Sequence, residues 1–582
     1  MRILLLTHSF NSLSQRLFGV LRALGHTVSV ELDIADTVTE EAVEMFKPDV
    51  VLASFLKRRI PESVWSRTVC LVVHPGIPGD RGPSALDWAI HRGDAQWGVT
   101  VLQAVQEMDA GEVWAWEPFA MRPGASKSSL YRREVTHAAV VAVLRAMERF
   151  APDSLTPKPV STTTGGTWNP LMRQTERRIN WCTDTTQVVL QKIAAADGSP
   201  GVLDALFDQP CRLFDAHPAS AQVTAAFPDR EPGTVLARRG PALLRRTVDG
   251  AIWIGHIRKE EVATPTQSPG SGVLKLAATQ VFATQAATLP ELQVPLMRAD
   301  DEWDELRYRE FGPTSARVGW LNFDFHNGAM SERQCQRLRD ALCWIRTRPT
   351  QVLVLAGGQE FFSNGIHLHA IEAAQRVVGD SAADASWRNI NAMDDATLEI
   401  LTLTDRITIA ALHGNAGAGG CFLALAADQV WAHEGVILNP HYKNMGNLYG
   451  SEYWTYSLPR RIGESASRAL MQERLPLTAA DAVSRGLLDA SFGQGAQDFG
   501  AQVLERALTL AATHNLTQRL VKKQAQREQD EAHKPLASYR AEELQRMHRN
   551  FYGFDPSYHV ARHHFVYRKP HAWTPRHLAI HR

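Results

Sequence analysis

The stretch RILLLTHSFNSLSQRLFGVLRALGHTVSVEL, residues 2–32, decides the fold of the N-terminal part of the chain. RILLLTH is a continuous apolar run of strand length. SLSQRLFGVLRALGH spaces its apolar residues at helical intervals and stops at Gly25, and TVSVEL opens a second strand. Strand, helix and strand in that order make a βαβ unit. Further strand runs follow at DVVLAS (49–54), TVCLVV (68–73) and WGVTVLQ (97–103), alternating with helical segments. An α/β domain with a mostly parallel sheet covered on both faces satisfies this pattern. Ligands of such sheets bind beyond the carboxyl ends of the strands, and His74 falls there.

A chain of 582 residues is too long for one hydrophobic core, so several domains are expected. Lys+Arg and Asp+Glu both number 62, which leaves no long-range field to attract a polyanion, so nucleic acid is not an expected partner. The six cysteines are scattered and form no CxxC pair, as in a cytoplasmic protein with reduced thiols. MRILLLTHSF breaks at His8, too early for a signal peptide. No stretch approaches the roughly 20 apolar residues of a membrane span, so no membrane partner is expected. The C-terminal histidines show no metal-ligand spacing, and no metal is expected. The final residues, HHFVYRKPHAWTPRHLAIHR, read as a packed or frayed terminal segment in preference to a basic patch.

Composition marks two seams, APDSLTPKPVSTTTGGTWNP (151–170) and VATPTQSPGSGV (262–273). Between them lie one helix and the short strand runs CRLFDAH, GTVLARR and AIWIGHI, compatible with a small barrel. From about residue 315 the pattern changes again. RVGWLNFDF is an alternating strand, and SERQCQRLRDALCWIRT is a helix with Cys335, Leu338, Leu342 and Ile345 on one face. QVLVLAGG is a buried strand.

VHPGIPGDRGPSALDWAI (73–90) places His74 on a Gly- and Pro-rich turn directly after a strand, and Asp109 follows a later strand of the same sheet. Each alone is more often a turn residue than a catalytic one. Together they suit acyl transfer, where a histidine shuttles protons, a carboxylate orients it and donors hold the oxyanion. His74, Arg81-Gly82, the strand Trp97–Leu102 and Met108-Asp109-Ala110-Gly111 resemble the pattern of the 10-formyltetrahydrofolate-dependent formyltransferases. Residues 175–215 are similar to the second domain of methionyl-tRNA formyltransferases. The resemblance implies 10-formyltetrahydrofolate as formyl donor, with Arg81 and Gly82 in the binding loop. Where that family carries an asparagine two residues before the histidine, this chain has Val72. The loop to Arg81 is one residue shorter than the usual pattern. Backbone N–H groups of the turn, or Asn11 after the first strand, are candidate substitutes for the missing amide.

GGQEFFSNGIHLHAI (357–371) and HGNAGAGGCFLALAADQVWA (413–432) each put glycine at a strand end before a helix, which turns backbone N–H groups outward. In either loop alone the glycines need only serve a tight turn. With LPRRIGESASRALMQERLPLTAADAVSRGLLDASF (458–492), the pair resembles the crotonase, or enoyl-CoA hydratase/isomerase, superfamily. That resemblance implies a coenzyme A thioester as ligand. It makes the N–H groups of Ile366 and Gly419 the oxyanion donors, with Gly365 and Gly420 shaping their loops. The hydratase acid/base residues do not carry over: their positions hold Phe422 and Pro440-His441. The polar groups left nearby are His441, Tyr442 and Glu452.

A formyltransferase-like half joined to a crotonase-like half, with NPHYKNMGNLYGSEYW (439–454), resembles the HoxX family of hydrogenase maturation proteins. The resemblance implies three domains: a formyltransferase-like Rossmann-like domain at 1–165, a small barrel-like (OB-like) domain at 175–265 and a crotonase-like α/β domain at 280–582. It implies synthesis of carbon monoxide for the iron of nickel–iron hydrogenase. Formyl would pass from 10-formyltetrahydrofolate to coenzyme A, and formyl-CoA would then be decarbonylated. His74 and Asp109 would serve the first reaction, and Glu452 with Tyr442 or His441 the second. The partners so implied are small-molecule substrates and the maturation machinery of the hydrogenase large subunit. Two rival readings are a formyltetrahydrofolate hydrolase fused to an acyl-CoA hydratase or isomerase, and a non-catalytic hydrogenase chaperone that binds folate or coenzyme A.

Overall fold

The computed structural model describes residues 1–149, 166–260 and 274–582. The seam expected at 262–273 lies outside the described residues, as does most of that expected at 151–170. Two compact units divide the described chain. Residues 1–149, 166–260, 277–291 and 570–582 belong to the first, and 274–276 with 292–569 to the second.

In the first unit, β1 (Arg2–Thr7), β2 (Thr27–Leu32), β3 (Val50–Phe55), β4 (Cys70–His74), β5 (Gln96–Gln103) and β6 (Val113–Ala120) form one sheet in the order β2-β1-β3-β4-β5-β6. The first four strands run parallel; β5 is antiparallel to β4, and β6 is antiparallel to β5. Ile3, Leu4 and Leu5 are fully buried, as a strand covered on both faces requires. The helix Ser12–Ala23 begins where Asn11 Oδ1 accepts the Ser14 N–H at 3.0 Å, satisfying one of the helix's orphan donors. It ends before Gly25, whose φ of +83° suits a residue without a side chain.

The middle part of this unit differs from the barrel expected of it. Five of the sheet's six strands run Val202–Leu206, Gln209–Pro218, Ala251–Lys259, Ala242–Arg246, Val235–Arg239 in spatial order with these pairs antiparallel; Lys275–Ala277 also pairs with Ala251–Lys259, and the sheet stays open. The helix Thr186–Ala196 packs Val189, Ile193 and Ala196 against Leu213, Ile252 and Ile254. A helix covers the core face, so the sheet has no need to close on itself.

The second unit holds a sheet ordered Leu306–Phe311, Val318–Phe323, Val352–Gly357, Ile407–Leu412, Gln429–Ala432, Ala490–Ser491, parallel after its first pair. A smaller sheet places Phe361–Ser363, Asn415–Gly417 and Ile437–Asn439 side by side in parallel, with Leu477–Thr478 antiparallel at the edge. Three short parallel strands thus leave the sheet at the same end. The loops that follow, Asn364-Gly365-Ile366, Ala418-Gly419-Gly420 and Pro440-His441-Tyr442, are carried there together.

Candidate functional site

His74 is the last residue of β4 and is buried. Its Nε2 lies 2.9 Å from Asp80 Oδ2 and its Nδ1 lies 3.7 Å from Asp109 Oδ1, so a carboxylate stands at each ring nitrogen. The antiparallel register, His74 opposite Thr100 and Leu71 opposite Gln103, makes β5 exit beside the start of β4. The connection between β5 and β6 therefore turns back to bring Asp109 to the histidine. Asp109 has φ +55° and accepts the Gly82 N–H on Oδ2 at 3.2 Å. Asp80 is fixed in turn by Asn169 Nδ2, which donates to its Oδ1 at 3.1 Å. Gly76 permits this packing, since a methyl there would lie 2.4 Å from His74 Nε2 and 2.5 Å from Asp80 Oδ2.

A cavity of about 840 Å³ opens onto His74 and Asp109, with Val72, Leu102, Tyr131 and Gln174 among its walls. Burial pushes the Tyr131 hydroxyl up to about 12, so it stays protonated. Such a volume is that of a small-molecule binding pocket. Gly82 reaches the cavity. Arg81 does not: its guanidinium pairs with Glu107 at 2.8 Å on the surface. Asn11 does not line it either; its Oδ1 caps a helix and its Nδ2 lies 3.5 Å from the Tyr131 hydroxyl.

In the second unit the paired short strands set Gly365 against Gly419, and a methyl on Gly365 would lie 3.2 Å from Gly419 N. Among the described residues, the Ile366 and Gly419 N–H groups have no acceptor, whereas Gly365 N–H donates to Ser363 Oγ at 3.0 Å. Gly420 lies over the Ser363 carbonyl, which a side chain would strike at 2.0 Å. Ala418, at φ +46°, turns the chain into the helix Gly419–Leu425.

Glu452 closes this site. It is 1% exposed, and its Oε1 sits so near Gly419 that a methyl there would be 2.2 Å away. Tyr442 OH donates to Glu452 Oε2, and the Ser451 N–H donates to the same oxygen at 3.2 Å. Burial, and then the neighbouring Asp394 carboxylate, push the Glu452 carboxyl up to about 8; the Tyr442 bond works against that rise. Burial also carries the Tyr442 hydroxyl well above its ordinary value. Phe422 stacks on the Tyr442 ring with centroids 5.4 Å apart. His441 is buried, and its backbone N–H donates to Asn439 O at 2.8 Å.

The arrangement amounts to two N–H groups without an acceptor among the described residues, a buried carboxyl with a raised pKa and a phenol hydrogen-bonded to it. It can hold a carbonyl oxygen and accept a proton beside it. The sequence does not single out Asp80, Asn169, Asp394 or Ser451. Asp80 lies on the same Gly- and Pro-rich turn as His74, and Ser451 directly precedes Glu452, so both had a local signal; Asn169 and Asp394 come from segments distant in the chain.

Comparison with known proteins gives three matching families: formyl transferase over residues 31–146, formyl transferase C-terminal domain over 171–267 and enoyl-CoA hydratase/isomerase over 321–574. The hydrogenase maturation factor HoxX of Bradyrhizobium diazoefficiens is 50% identical, the alignment covering 100% of this chain and 97% of that protein. The crystal structure of HypX from Aquifex aeolicus in complex with tetrahydrofolic acid is 43% identical, covers 100% of this chain and 99% of that one, and superposes with a TM-score of 0.92. A methionyl-tRNA formyltransferase of Variovorax paradoxus is 27% identical over 41% of this chain and 70% of its own length.

Proposed function

The chain belongs to the family of the hydrogenase maturation factor HoxX, and on that premise we propose that it makes carbon monoxide in two steps, formyl transfer and decarbonylation. The formyl donor is 10-formyltetrahydrofolate, seated in the cavity at His74, and the acceptor is the thiol of coenzyme A. The tetrahydrofolic acid in the Aquifex aeolicus HypX structure supports the first assignment.

In the first step the thiol sulfur attacks the formyl carbon. The tetrahedral intermediate collapses with loss of the nitrogen–carbon bond, and His74 carries the thiol proton to that nitrogen. A thiol with an ordinary pKa near 8.5 is mostly protonated at neutral pH, so it needs such a base. Asp109 and Asp80 hold the imidazole from both sides. Val72 stands in place of an amide donor and leaves that side of the site apolar, which disfavours attack by water.

In the second step the Ile366 and Gly419 N–H groups hold the formyl oxygen of the thioester. Glu452 takes the formyl proton, the carbon–sulfur bond breaks with its electron pair on sulfur, and the proton passes to the thiolate. Formyl-CoA becomes carbon monoxide and coenzyme A thiol, with no water consumed. Phe422 supports this course, since an apolar ring at that position activates no water and keeps the pocket dry.

The observation that carries the proposal is Glu452, buried, protonated up to about pH 8 and seated against the Gly419 donor loop. The test is incubation of the purified protein with coenzyme A and 10-formyltetrahydrofolate labelled in the formyl carbon. Haemoglobin trapping of labelled carbon monoxide, equal in amount to the tetrahydrofolate formed and dependent on coenzyme A, is expected. Label recovered only as formate points to the hydrolase, and no turnover to the non-catalytic chaperone; either overturns the proposal.

A further inference from the structure

Glu452 and Tyr453 lie consecutively in the left-handed region, at φ +59° and +57°, a conformation that favours glycine. Neither position can be glycine if the Glu452 carboxyl is to reach Gly419 and Tyr453 is to fill the core it occupies, 1% exposed. Something else must hold the turn, and two buried carboxyls do so. Asp394, on the helix Ala382–Leu401, accepts the Glu452 N–H at 2.8 Å on Oδ1 and the Ser451 hydroxyl at 2.8 Å on both oxygens. Glu543, on the helix Leu536–Tyr552, accepts the Tyr453 N–H at 2.9 Å and the Thr455 N–H at 2.8 Å, with the Thr455 hydroxyl as a further donor. Both carboxyls are 0% exposed.

Burying two acids beside a third is an expensive way to close a turn. Burial pushes Asp394 up to about 6 and Glu543 well above the usual carboxylate range, and Arg540 Nε stands 3.7 Å from Asp394. Neutral acceptors would close an ordinary turn without that cost. The two carboxyls between them take the N–H groups of 452, 453 and 455, and the turn so held carries the side chain set against the donor loop.

We infer that Asp394 and Glu543 are positioning residues for the Glu452 carboxyl, clamping the Ser451–Thr455 turn in the form that sets this group against Gly419. The inference rests on the reading of Glu452 as the proton acceptor. It separates the site into a group that touches substrate and a two-helix clamp that acts only through that group.

The test supplies formyl-CoA directly to the full-length protein and follows carbon monoxide by haemoglobin trapping. In Asp394→Asn and Glu543→Gln, kcat is expected to fall roughly 100-fold, as misplacement of a reacting group by about 1 Å would bring, with KM within about threefold of native. Formyl transfer at the His74 site is expected to be retained. Adding either change to Glu452→Gln should cost nothing more, since the clamp has no other route to the chemistry. Thr455→Val removes one donor to Glu543 and keeps the test open should a carboxyl variant fail to fold; a several-fold loss in kcat is expected. Native kcat in the clamp variants with Glu452→Gln inactive, or further loss in the double variants, overturns the clamp. Native activity in Glu452→Gln itself overturns the reading beneath it.

Discussion

Glu452 and His74, the two proton carriers proposed above, differ in how their surroundings prepare them. Glu452 is made a weak acid by burial, so as a base it works only once it has lost its proton, and carbon monoxide release from formyl-CoA should rise with pH through about 8. Glu452→Gln should flatten that profile and lower the rate by roughly 100-fold or more. A native rate already at its plateau at pH 6 would contradict the assignment. His74 is prepared by geometry, with Asp80 at one nitrogen and Asp109 at the other. Asp80→Ala is expected to cost roughly 10- to 100-fold in the kcat of formyl transfer with little change in KM, since the ring loses one of its two holds. Ring-nitrogen NMR of His74 in that variant should show altered tautomer populations. Unchanged turnover in Asp80→Ala would reduce Asp80 to a turn residue.

At the scale of the element, three short parallel strands of the smaller sheet do what no single motif could. The pairing Phe361 with Asn415 and Gly417 with Asn439 puts the exits of all three strands on one edge. One exit carries Ile366, the next Gly419 and the third Tyr442. The spacing within the site is therefore set by the interstrand distance, and the glycines are steric necessities of that closeness. A methyl at Gly419 would meet Glu452 Oε1 at 2.2 Å, and one at Gly450 would meet the Tyr442 ring at 2.1 Å. Gly419→Ala should accordingly displace the carboxyl and lower carbon monoxide release by roughly 100-fold while formyl transfer at His74 continues. Parallel loss of both activities in a folded protein would show that the glycine serves something wider than this site.

At the scale of the whole molecule, the chain returns at its end to the unit in which it began. Residues 570–582 lie along β2, the edge strand of the first sheet, where the Val30 N–H donates to Leu578 O at 3.0 Å and the Leu32 N–H to Thr574 Oγ1 at 2.9 Å. Glu31 is buried there. Burial works to raise its pKa, but hydrogen bonds from His581 and Thr574, with the charge and hydrogen bond of Arg582, outweigh it and hold the carboxyl below the usual range. Stability from this group is thus full above the ordinary glutamate pKa and is lost as the pH falls through the lowered one. Deleting residues 570–582 would strip the edge strand and leave a buried carboxylate without its partners. That should destabilise the first unit by about 3–5 kcal/mol, read as a lower thermal midpoint at neutral pH. Glu31→Gln in the truncated chain should recover part of that loss, and an unchanged midpoint on truncation would show the segment to be dispensable.

The sequence by itself determined the α/β class of the first sheet, the two glycine donor loops and the family resemblance. Each of these is local: a period of apolar residues, a strand end followed by glycine, a short run of residue types. His74, Asp109, Tyr442 and Glu452 were legible because they lie on or beside such motifs. Only the tertiary structure decided that the middle sheet stays open, because the helix Thr186–Ala196 covers a face that a barrel would have closed over. Only it brought Asn169 to Asp80, and Asp394 and Glu543 to the turn at Glu452, since carboxyls on distant helices carry no local mark of the N–H groups they will accept. It also engaged Asn11 Oδ1 in a helix cap and paired the Arg81 guanidinium with Glu107. Backbone periodicity is written in neighbouring residues. The fixing of a reactive side chain is written in what folding packs against it.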